Sequence, residues 1–127
     1  MSVQPARKPE TDPQAAVVTK AATRAAERLG VKNNALGRIV GLSEPTVSRM
    51  RKGRFIIDPK QKSYELALLF VRLYRALDAM VGGDDAVAAK WLVNTNTALN
   101  GVPLDMIQTV SGLINVIAYL DSRRARV

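Results

Sequence analysis

The side chains with the clearest chemical reach lie in GRIVGLSEPTVSRMRKGR, residues 37–54. Arg49 carries the planar fork that meets guanine O6 and N7 with two parallel hydrogen bonds. Thr46 and Ser48 offer hydroxyls that reach base edges or phosphates, and Ser43 and Glu44 open the same segment. Arg51, Lys52 and Arg54 follow as cations suited to phosphate oxygens. The chemistry served by these types at this spacing is recognition of double-stranded DNA.

Such side chains work only if a sharp corner presents them on a short helix. Two helices can cross closely only where a small residue sits between them, and Gly37 occupies that place. Four residues on, Gly41 supplies the positive φ that the turn needs. Ser43 can cap the next helix through its hydroxyl, Glu44 suits the helix's positive end, and Pro45 is tolerated in a first turn. The spacing predicts helices over 33–41 and 44–52. Val47 and Met50 then face inward with Ile39, Val40 and Leu42, while Glu44, Pro45, Ser48, Arg49 and Lys52 face outward. This is a helix-turn-helix whose second helix enters the major groove.

The charge distribution agrees. The chain of 127 residues has a net charge of +8; residues 1–62 hold 13 Lys/Arg against 5 Asp/Glu, and residues 63–127 hold 6 against 6. The whole excess sits beside the helix-turn-helix, as a polyanion partner requires. With neither histidine nor cysteine, disulfides and the usual base–nucleophile pairs are excluded, and a metal would have only carboxylates and carbonyls. Asp84 and Asp85 are adjacent rather than convergent. No enzyme, no cofactor and no small-molecule substrate is expected. No run of eighteen apolar residues occurs and the first thirty residues contain no apolar export segment, which predicts a cytoplasmic protein without a membrane partner.

Along the chain, residues 1–13 read as a flexible arm, its proline-flanked Arg7 and Lys8 available to a DNA backbone or minor groove. A helix runs from about Pro13 to Gly30 with Val18, Ala21, Ala22, Ala25 and Leu29 on one stripe. After the polar DPKQK comes a long helix bearing two apolar stripes. One holds Leu66, Leu69, Phe70, Leu73, Leu77 and Met80; the other holds Tyr64, Leu68, Val71 and Tyr74. Burial against both its own core and a second subunit would explain the pair. Asp84 caps DAVAAKWLV, LDMIQT is short, and Val110 to about Arg123 is last. No period-two alternation survives over six residues, so the fold is all-α. The expected units are a helix-turn-helix domain over 14–60, a connecting and dimerising helix over 61–83, and a small helical domain with a tail over 84–127.

The last unit carries no function legible from physics alone. Trp91 is most simply a core residue, and the Asn/Thr cluster a set of caps. Yet Trp91-Leu92, Asn96, Ala98-Leu99, Gly101, Pro103-Leu104, Thr109 and Gly112, in this order and spacing, resemble the Xre/MbcA/ParS toxin-binding domain of bacterial type II antitoxins. A preceding helix-turn-helix is the arrangement usual in that family. The resemblance implies a RES-domain toxin as partner, an enzyme that consumes NAD or transfers its ADP-ribose, blocked at its active site. With the two-striped long helix and the helix-turn-helix, the expected protein is a homodimer that represses its own promoter. Trp91 and Asn96 then belong to the toxin-binding domain, and Arg123, Arg124 and Arg126 in the terminal DSRRARV could enter a site built for an anionic dinucleotide by pairing with its acidic residues. The alternatives are a free-standing phage-repressor-like regulator whose second half only dimerises, and an adaptor whose basic face serves solubility.

Overall fold

A computed structural model describes residues 12–124; the expectations placed on Arg7, Lys8 and Arg126 lie outside these residues. The described chain is all-α: α1 (Pro13–Leu29), α2 (Asn33–Val40), α3 (Glu44–Arg51), α4 (Lys62–Met80), α5 (Asp85–Val93), α6 (Pro103–Met106) and α7 (Val110–Arg124).

Local chemistry sets these limits. Asp12 accepts from the amides of Gln14 and Ala15, so α1 begins at Pro13, where the alanine-rich stretch predicts its start. Gly30 ends it at φ +68°, in the left-handed region where a Cβ is unfavourable. Asp84 accepts from Ala86 and Val87 at the start of α5, as its position predicts. Among the described residues no helix is long and apolar enough to cross a membrane.

The helix α4 is the axis of the molecule. Its buried side chains, Ala67, Phe70, Leu73, Ala76 and Leu77, belong to one continuous core that also takes Leu29, Leu36 and Val47 from the first half and Leu92, Leu113 and Leu120 from the second. It packs most extensively on α7, then on α1, with α2 also against it. This changes the reason for its two stripes. Tyr64, Val71 and Tyr74 pack partly buried against the chain's own core, and of the second stripe only Leu68 is exposed. A second subunit is not required to explain α4, because α1 and α7 cover different sides of it.

Polar links join parts distant in sequence. The buried Thr19 hydroxyl donates to the Ala15 carbonyl at 2.8 Å and accepts from the Ile57 amide at 3.0 Å, which ties the link before α4 to α1. Arg28 donates to the Tyr74 hydroxyl at 3.2 Å, which in turn donates to Asp85 at 3.2 Å, joining α1, α4 and α5. That bond to Tyr74, together with the charge of Asp85, pushes the Arg28 pKa up. Arg38 on α2 reaches Gln108 beside α7 at 3.4 Å.

Candidate functional site

The corner between α2 and α3 has the geometry its glycines call for. A Cβ on Gly37 would lie 2.6 Å from the Leu42 carbonyl oxygen, so only glycine lets the chain return across α2 here. Gly41 has φ +72°. Beneath the corner, Val47, Met50, Ile39 and Val40 are buried and Leu42 partly so, which fixes the rotation of α3 about its axis.

That rotation leaves Glu44, Pro45, Arg49, Lys52 and Arg54 exposed, with Thr46 and Ser48 half-buried at the edge. A hydrogen-bonded row runs along the exposed side. The Ser43 hydroxyl caps α3 by accepting from the Thr46 amide at 3.3 Å and lies 2.8 Å from the Thr46 hydroxyl. Arg49 donates to that same Thr46 hydroxyl at 3.1 Å. Holding the guanidinium by one N–H leaves the rest of its fork for an outside acceptor, with less rotamer freedom to lose on binding.

Arg51 departs from the expectation that it stands with the phosphate-facing cations. Its guanidinium turns inward and donates to the Val31 carbonyl at the corner between α1 and α2, and its Nε is buried without a partner. The physical reason is register: Arg51 follows the buried Met50 on the side of α3 that meets α1. It braces the corner.

In the second half the structure brings the spaced residues together around a loop and a close helix contact. Asn96 and Gly101 exchange backbone hydrogen bonds of 2.8 and 3.2 Å, the Asn96 side chain accepts from the Leu99 amide at 3.0 Å, and Asn100 takes φ +61°. Asn96 therefore organises its own loop. Pro103 is buried at the start of α6. Thr109 accepts from the Gly112 amide at 3.1 Å, capping α7. A Cβ on Gly112 would run into the Met106 carbonyl, so this glycine is what lets α7 start against α6. Trp91 is half-buried and stacks on Tyr119, ring centres 6.4 Å apart and planes at 18°, which fastens α5 to α7.

Arg123 and Arg124 are exposed in the last turn of α7, where cations also favour the negative end of a helix. Leading to them is a surface that residue types alone do not single out. Val110 and Ile114 are 53% and 50% exposed, and Ser111, Asn115 and Ala118 share that side. The signal was present in the sequence as uncharged positions at helical spacing, but only the packing of Leu113, Val116, Ile117 and Leu120 onto α4 says which side of α7 remains outside.

These two arrangements correspond to two known families. Residues 14–72 match the antitoxin Xre-like helix-turn-helix domain. Residues 76–126 match the antitoxin Xre/MbcA/ParS C-terminal toxin-binding domain. No curated protein matches the chain. The two matches meet inside α4, the helix on which both halves pack. With a capped, corner-mounted α3 in the first match and the Asn96 loop, Pro103 and Gly112 in the second, this chain belongs to the Xre-type antitoxins.

Proposed function

We propose that this antitoxin neutralises a RES-domain, NAD-consuming toxin by covering its active site, and represses its own promoter as a cytoplasmic homodimer. Neutralisation is steric: the chain makes and breaks no bond and holds no cofactor. In the first half Arg49 reads a base while Thr46 and Ser48 contact base edges or phosphates. Glu44 orders the start of α3, and Lys52 and Arg54 neutralise phosphates where the helix leaves the groove. Ser43 acts through its cap, and Arg51 acts through the corner it braces.

In the second half Trp91 and Asn96 shape the surface that meets the toxin, and Arg123, Arg124 and Arg126 supply positive charge to a pocket made for an anionic dinucleotide. The observation that carries this reading is the continuity of α7. An uncharged exposed side, with Val110 and Ile114 half-exposed, leads along one rigid helix to two exposed arginines at its end. An apolar contact seats a partner while the arginines approach its anion site.

The test is NAD consumption by the product of the adjacent reading frame, measured alone, with the full chain, and with a chain ending at Ser122, which keeps the Asp121 partner of Arg72. Inhibition by the full chain and its loss on truncation is the expected result. Equal inhibition by both moves the block to the folded surface around Trp91 and Ile114. An active toxin unaffected by either rejects the RES assignment.

A further inference from the structure

One surface has no part in either interface described above: the groove between α1 and α4. Two adjoining hollows of about 310 and 320 Å³ share Val17, Ala21, Val71 and Arg75 as walls. Their floor is apolar. Val17 on one bank is 66% exposed and Leu68 on the other 44%, large side chains that the chain's own core leaves uncovered. Isolated exposed apolar residues need no explanation, but two lining one concave strip are a feature of contact surfaces.

The rim is cationic on both banks. Lys20, Arg24 and Arg28 recur at i, i+4 and i+8 on α1, and Arg72 and Arg75 stand on α4. Like charges at i, i+4 destabilise a helix, so this row is unfavourable without an anionic partner. Arg28 is engaged with Tyr74, and Arg72 pairs with Asp121 at 2.8 Å. Lys20, Arg24 and Arg75 make no ion pair among the described residues. All the groove residues precede position 76, where the toxin-binding match begins.

An apolar floor between two cationic banks fits one kind of occupant. A second copy would set this cationic patch against an identical cationic patch, because a two-fold contact uses the same surface on both subunits. A nucleic-acid backbone would satisfy the cations yet leave Val17 and Leu68 against polar sugar and phosphate. From Val17 to Arg28 the groove runs about 17 Å along α1, three helical turns. We propose that it is a docking site for an acidic amphipathic helix of a partner protein, whose apolar residues rest on Val17, Ala21, Leu68 and Val71 and whose carboxylates pair with Lys20, Arg24 and Arg75.

The probe is a synthetic helical peptide of about twelve residues, with leucines on one side and glutamates flanking them, titrated into the full-length protein and followed by amide NMR. Shifts are expected at Val17, Ala21, Leu68 and Val71, with binding weakened at least about tenfold by the exposed double change Arg24→Glu/Arg75→Glu. Val17→Asp should weaken it as well, and circular dichroism verifies that each variant is folded. Absence of shifts in the groove overturns the proposal, as does equal binding of a peptide with lysines in place of the glutamates. If a duplex DNA of arbitrary sequence moves the same groove amides while the acidic peptide does not, the groove is a nucleic-acid surface and the proposal fails.

Discussion

Arg49 and Thr19 illustrate how single side chains divide between contact and support. Arg49 is exposed and held by Thr46, so Arg49→Ala should leave folding intact and cost about 1–3 kcal/mol at one base pair of the operator. Competition binding against operators altered one pair at a time checks this. An equal loss on every sequence would make Arg49 a phosphate contact, and no loss would remove it from the interface. Thr19 lies at the other extreme, buried with both hydrogen bonds internal. Thr19→Val keeps the shape and strands the Ile57 amide, so a loss of about 1–3 kcal/mol is expected in urea unfolding. Unchanged stability would show that another acceptor replaces the hydroxyl. The exposed arginine was legible because its spacing after Gly41 and Ser43 is a local matter. Thr19 was not, because its acceptor role depends on a segment thirty-eight residues away.

Among the elements, the glycines in helices mark the close approaches. Gly37→Ala gains up to about 1 kcal/mol in helix propensity, but its methyl would sit 2.6 Å from the Leu42 carbonyl. A net loss of about 1–3 kcal/mol is expected from that overpacking. Gly112→Ala should cost more, since its Cβ meets the Met106 carbonyl directly; thermal unfolding of the two variants gives the order. Retention of full stability in either would mean that its corner can open. Helix boundaries were readable because caps and breakers act locally: Asp84, Gly30, Gly41 and Thr109 each do what their type and position predict. The role of α4 was not, because two stripes on one helix are equally compatible with a second subunit and with neighbours in the same chain.

Over the whole molecule, a single core runs from α1 to α7 through both family units, so they should unfold as one cooperative body. Trp91, the only tryptophan, reports the second half, whereas far-ultraviolet circular dichroism reports all the helices. The two probes should give coincident unfolding curves, and Gly37→Ala should shift both together. Separate transitions would mean that the halves unfold independently despite α4. The charge excess confined to residues 1–62 predicts operator affinity that falls with salt by about 0.9 log unit per log unit for each phosphate neutralised. A flat response would remove the DNA-binding role.

The sequence by itself determined the all-α class, the helix-turn-helix corner, the caps and the charge asymmetry, because each depends on residue type and near-neighbour spacing. Resemblance across Trp91 to Gly112 supplied the family. Tertiary structure alone decided that Arg51 turns inward to Val31, that Asn96 is spent on its own loop, and that α4 is covered by α1 and α7. It also decided that Val17 and Leu68 share a groove and that Val110 and Ile114 remain outside. These are questions of which faces meet, and faces meet through packing between residues far apart in the chain, where local spacing has no say.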